Sequence, residues 1–262
     1  MEKILKMIEN NPSIISTIEN PTDEMKLLAV RKNGLTLEYI KNPTEEMKEI
    51  AIENNPNAIK YIKNPTEKMM LRAIEYGWSN LKYIENPTDK AVKLALNKSG
   101  WAIQYIKNPS EELQLLAIQN NYDSVRYIEN PTEEAKKLAV SINYEALRYI
   151  KNPSYDIELI AIKNNEASIS LINLDKEKML GFLGVNISVI KYIVNKVTNE
   201  EVKEVLKDVL SKEDVSEKYV RDFINSSVIG VNSSINLDKI LFVYKYGSKK
   251  AKKITVDEKL KF

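Results

Sequence analysis

The side chains able to do chemistry in this 262-residue sequence are carboxylates, amines, hydroxyls and aromatic rings, because cysteine and histidine are both absent. Their absence removes disulfides, thiol nucleophiles, Ser-His-Asp and Cys-His arrangements, and zinc sites built on Cys or His. The seven glycines are too scattered to form a phosphate-cradling loop. No set of the remaining carboxylates, lysines, serines and tyrosines falls into a recognisable acid–base or nucleophilic spacing. The sequence therefore predicts no catalytic residue, no metal site and no cofactor. It is read as a binding protein and not as an enzyme.

Aromatic rings carry the binding chemistry. Tyr39, Tyr61, Tyr83, Tyr105, Tyr127 and Tyr149 recur every 22 residues, with Leu171 ending the series. A ring repeated this regularly reads first as part of a structural unit, packed on its neighbours with its hydroxyl at the rim. The alternative is a ladder that stacks single-stranded bases, one per repeat. A second set breaks the period: Tyr76, Trp78, Trp101, Tyr122 and Tyr144. Other repeats place small or polar residues there, such as Gly34, Asn57 and Ala167. These five, with Arg72 in a slot otherwise Leu or Ile, are the predicted partner-binding residues. Trp and Tyr dominate binding energy at interfaces, and an exposed aromatic strip needs a use. Basic side chains offer a rival site. Lys249, Lys250, Lys252 and Lys253 are candidates for nucleic-acid contact, although a solvated end accounts for them more simply.

The elements that position these residues follow from one repeat. Seven prolines, Pro21, Pro43, Pro65, Pro87, Pro109, Pro131 and Pro153, are spaced by 22 residues, and each follows an Asn. A strict period of this length is the mark of a solenoid. Asn-Pro-Thr-Glu, as at 42–45, predicts a helix start with an Asn cap, Pro at the first position and a capping box. A first helix of about twelve residues should end at Asn33, Asn55, Gly77, Ser99, Asn121, Asn143 and Asn165, which suit a left-handed C-cap. A second helix of about seven residues should follow. One slot of the first helix is Ala in all seven full repeats (Ala29, Ala51, Ala73, Ala95, Ala117, Ala139 and Ala161) and lets helices approach closely. The predicted fold is an all-α solenoid with two helices per repeat. Residues 1–20 form a truncated capping repeat with Lys3 and Lys6 on its outer side, and residues 21–174 form the full repeats. Residues 175–262 form a degenerate repeat, with Asp175 where Pro should stand, plus a helical C-terminal cap and basic tail.

Segments such as AVRKNGLTLEYI (29–40) and LALNKSGWAIQYI (94–106) resemble the tandem helical repeats of a domain family of unknown function found in bacteria, phages and mobile elements. The resemblance rests on the Ala, the Asn/Gly slot and the Tyr. It implies an α-helical scaffold and brings no activity and no catalytic residue. A source in a phage or mobile element would make a host protein the natural target of an inhibitor built on this scaffold.

Charge and hydropathy narrow the class further. Lys plus Arg number 39 and Asp plus Glu 37, a balance that demands no polyanionic partner. The excess is local: residues 175–262 carry 17 basic against 13 acidic side chains, whereas 1–174 carry 22 against 24. No apolar run approaches the ~18 residues of a membrane span, and the N-terminal residues do not read as a signal peptide. A cytoplasmic interaction scaffold with a protein partner is the expected function. Single-stranded nucleic-acid binding through the Tyr ladder and Lys-rich tail is the alternative.

Overall fold

Each repeat builds two segments of different pitch, an α-helix followed by a 3₁₀ helix. The computed structural model describes residues 1–260, and the fold is all-α in a regular tandem arrangement. The repeat helices are α1 (Glu2–Asn10), α2 (Asp23–Lys32), α3 (Glu45–Asn54), α4 (Glu67–Tyr76), α5 (Asp89–Lys98), α6 (Glu111–Asn120), α7 (Glu133–Ile142), α8 (Tyr155–Asn164) and α9 (Lys176–Val185). After each of α1 to α8 comes a six-residue 3₁₀ helix, such as Gly34–Tyr39, Pro56–Tyr61, Trp78–Tyr83 and Gly100–Tyr105. The described residues belong to two compact units, Met1–Leu138 and Ala139–Phe262.

The second helix of each full repeat is a six-residue 3₁₀ helix. Leu37 and Ile40, Ile59 and Ile62, or Leu81 and Ile84 are three residues apart and buried. The first of each pair lies within the 3₁₀ helix and the second is the extended residue that follows it, so both sides of the helix end are anchored in the core. Within the first unit, successive α helices pack side by side, and so do successive 3₁₀ segments. The Ala slot is fully buried throughout, from Ala29 to Ala161.

The turns also differ from expectation. The N-cap is the Thr or Ser after the Pro: Thr22, Thr44, Thr66, Thr88 and Ser110 each accept a hydrogen bond from the N–H three residues on. The Pro therefore lies just outside the helix, which runs ten residues rather than twelve. Because the residue at N3 is Met25, Met47, Met69, Ala91 or Leu113, no reciprocal capping box forms there. Thr198 and Glu201 form one, at the start of a later helix. Left-handed backbone occurs at the Asn before the Pro, with φ of 51° at Asn20, 54° at Asn42 and 52° at Asn64. Asn tolerates that region better than other side chains. The predicted left-handed C-cap is instead extended, as at Asn33 (φ −151°), and its side chain caps the 3₁₀ helix by accepting from Leu35 N–H. Asp175 takes the Thr role, accepting from Lys178 N–H at 2.8 Å, so the degenerate repeat lacks its Pro and keeps its cap.

The remaining helices of the second unit are the short α10 (Ile190–Ile193), α11 (Asn199–Ser211), α12 (Glu217–Asn225), α13 (Lys239–Tyr246) and α14 (Lys249–Lys259). Phe182, Tyr219, Phe223 and Phe242 are buried among them. The Tyr219 hydroxyl, raised far above its ordinary pKa by burial, donates to Leu183 C=O at 3.0 Å. Strands were not expected, yet the loop before α13 contains a two-residue pairing of β1 (Ile229–Gly230) with β2 (Ile235–Asn236). No helix of the described residues is long and apolar enough to cross a membrane.

Candidate functional site

The 3₁₀ helices of the first unit carry most of both aromatic sets, with Tyr39, Tyr61, Tyr83, Tyr105 and Tyr127 at their ends and Trp78, Trp101 and Tyr122 at their starts. The core of this unit is filled by Ala, Ile, Leu, Met and Val, and none of its tyrosines or tryptophans is buried. In the Tyr ladder, exposure is 47 % at Tyr39, 42 % at Tyr83 and 38 % at Tyr127. Each of these rings lies at the last position of its 3₁₀ helix, between the two buried aliphatic residues that anchor the segment, as Tyr39 lies between Leu37 and Ile40. The ladder packs less deeply than a purely structural ring would.

Cations accompany these rings. Lys60 Nζ lies 4.7 Å from the Tyr61 ring centre, Lys82 Nζ 4.7 Å from Tyr83, and the Arg126 guanidinium 4.6 Å from Tyr127. The pairing is favourable because the ring face carries partial negative charge. The neighbouring Tyr61 hydroxyl holds the Lys60 ammonium above its ordinary pKa. Tyr61 in turn donates to Glu38 Oε2 of the preceding repeat at 3.0 Å.

The aperiodic aromatics connect repeats to one another. Trp78 opens its 3₁₀ helix, and its ring stacks on Tyr105 of the next repeat with centroids 6.2 Å apart. That contact links the two aromatic sets and ties Trp78 to repeat packing. Trp101, 38 % exposed, donates from Nε1 to Asp123 Oδ1 at 2.8 Å. Asp123 lies 3.7 Å from Arg126, which donates to the Tyr127 hydroxyl at 2.7 Å. A polar chain thus runs from Trp101 to Tyr127 through Asp123, a residue that sequence reasoning passed over. Its signal was the 22-residue offset from Trp101. Tyr76, at the end of α4, is 66 % exposed. Tyr122 is half-buried at the start of its 3₁₀ helix, and Tyr144 holds the corresponding position in the second unit.

Close approach between repeats is set by glycine at the same turn. A Cβ at Gly34 would lie 2.3 Å from Ala51 O, and one at Gly100 2.0 Å from Ala117 O. The freed N–H groups donate to the next repeat, Gly34 to Asn54 Oδ1 at 2.7 Å and Gly100 to Asn121 Oδ1 at 2.8 Å. Trp78 and Tyr122 therefore stand where a neighbouring repeat needs a glycine.

Arg72 and the lysine cluster lie elsewhere. Arg72 is exposed and lines a groove of about 550 Å³ between α3 and α4, beside Glu49, Glu53 and Glu75. No residue of a 3₁₀ segment lines that groove. Lys249, Lys250, Lys252 and Lys253 belong to α14, whose Ala251, Ile254 and Thr255 are buried. The expected solvated tail is thus, through residue 259, a packed helix with its lysines outward. No family model matches the chain, and searches of curated proteins and of solved structures return no match.

Proposed function

We propose that this chain is a non-catalytic interaction scaffold whose 3₁₀ row holds a macromolecular partner, foremost a protein. The observation that carries the reading is the placement of aromatic surface. Every Tyr and Trp of the first unit keeps part of its ring open although an aliphatic core already closes each repeat. Partly exposed aromatic rings at regular spacing offer large contact area at low entropic cost, the pattern of binding hot spots. Affinity capture with the full chain tests the proposal, comparing the parent with Trp101→Ala. A protein held by the parent, released by the variant and indifferent to nuclease is the expected result. Identical capture by parent and variant would remove the row from consideration.

One observation favours a second reading, in which the row binds single-stranded nucleic acid. The cation beside each of Tyr61, Tyr83 and Tyr127 supplies a phosphate contact next to a stacking face. Anisotropy of labelled oligo-dT and oligo-U separates the two. Binding that weakens steeply with salt supports the nucleic-acid reading, and no binding at low salt eliminates it.

A further inference from the structure

One exposed face of the second unit combines apolar surface with an excess of positive charge. α13 buries Phe242 and Val243 but leaves Ile240, Leu241 and Tyr244 outside, with Leu241 61 % and Tyr244 75 % exposed. Three outward apolar side chains on an eight-residue helix are an unfinished contact. Of these, Leu241 stands at the rim of a groove of about 320 Å³ between α11 and α13, floored by Phe242 and Tyr246 and edged by Lys203, Lys207 and Lys245.

The edge lysines form no direct ion pair among the described residues. Ion pairs of this unit join Lys212 to Asp208, Lys218 to Asp222 and Arg221 to Glu217 and Glu258, while Lys203, Lys207 and Lys245 have none among the described residues. Lys207 and Lys245 instead lie 5.5 and 5.0 Å from the centre of the Tyr246 ring. Two carboxylates share the groove. Asp238 caps α13, accepting from Leu241 N–H at 3.0 Å, and with Glu204 it sets two carboxylates against three ammonium groups, which leaves the edge net positive.

α14 adds an independent observation. Lys249, Lys250, Lys252 and Lys253 crowd its N-terminal end, and its first turn contains no acid. Cations there oppose the helix dipole, and none of the four side chains has an ion-pair partner among the described residues. Lys252 Nζ lies 5.9 Å from the Tyr244 ring, so basic groups flank the apolar ridge of α13 on both sides.

We propose that this groove docks an acidic amphipathic helix of another protein, with an apolar side chain over Leu241 and Phe242 and carboxylates facing Lys203, Lys207 and Lys245. An apolar floor with a cationic edge matches the i, i+4 pattern of such a helix. A phosphate backbone would engage the lysines and leave Leu241 idle. A recessed floor suits an inserted side chain better than a flat lipid surface. The site is separate from the aromatic row and does not depend on it.

Fluorescence anisotropy with the full chain tests the proposal, using a labelled helical peptide with leucines at i, i+3, i+4 and i+7 and glutamates elsewhere. The matching peptide with lysines for glutamates is the control. The glutamate peptide should bind and the lysine peptide should not. Leu241→Asp should weaken binding at least ~10-fold, and so should the combined Lys203→Glu, Lys207→Glu and Lys245→Glu change. Unfolding should be unaltered, since these side chains reach solvent. Equal binding of the two peptides, or parent affinity in Leu241→Asp, would overturn the proposal. So would peptide-independent binding to phosphatidylcholine–phosphatidylserine vesicles that Leu241→Asp abolishes, which would assign the face to lipid. A dimer of the unliganded chain dispersed by Leu241→Asp would assign it to a second copy.

Discussion

The first unit buries none of its aromatic residues, whereas the helices after residue 175 bury several. Phe182, Tyr219, Phe223 and Phe242 are buried in the second unit, where they fill irregular space between helices of different lengths. In the first unit the core is aliphatic and every Tyr and Trp reaches the surface. The reason lies in the repeat. A 22-residue unit whose helices approach through an Ala slot leaves no room for a buried ring. A ring enters at the 3₁₀ row or at a helix end such as Tyr76, where it stays partly open. The second unit buries four rings and exposes others such as Tyr192 and Tyr244, whereas the first unit buries none.

The largest expected effect tests the buried side of this contrast. Phe223→Ala should destabilise the protein by about 3–5 kcal/mol, and Tyr83→Ala by no more than ~1 kcal/mol, as measured by urea unfolding. Equal losses would erase the distinction between the regions. Next in size is the close approach at the turns. Gly100→Ala should cost about 1–3 kcal/mol because its Cβ meets backbone. Gly77→Ala should be nearly silent, since its Cβ would find only Asn80 Nδ2, at 4.0 Å. A tolerated Gly100→Ala would mean that the repeats can slide apart without penalty. The smallest effect sharpens the boundary. A double-mutant cycle on Trp78 and Tyr105 should return a coupling of about 0.5–1.5 kcal/mol. A coupling near zero would make Trp78 a free contact residue.

Much of the repeat was legible because its punctuation is strict. The prolines and the Asn slot match element boundaries to within one or two residues, and the Ala slot marks the buried face of each first helix. The pitch of the second segment was harder to read. Spacing of three over six residues fits either helix type, and α-helical backbone does follow the extended Asn186 after one short 3₁₀ turn. The caps were misplaced by two residues because Asn, Pro and Thr are each good helix starters. Tertiary packing selected Thr and drove Asn20 or Asn42 into the left-handed region. At the candidate site, the sequence located the rings but could not show that Trp78 stacks on Tyr105 across repeats. The groove beside Leu241 was invisible for a related reason. LFVY at 241–244 reads as core on every side, and only the packing of α11 against α13 decides which residues stay outside.

The central claim is that the aromatic rings of the row serve a partner and not the fold. The most direct measurement compares partner retention with unfolding in one chain carrying Tyr39→Ser, Tyr83→Ser and Tyr127→Ser. The account predicts loss of the captured partner with unfolding weakened by no more than ~2 kcal/mol in total. Partner binding at parent strength, or a loss of stability on the scale expected for Phe223→Ala, would contradict it.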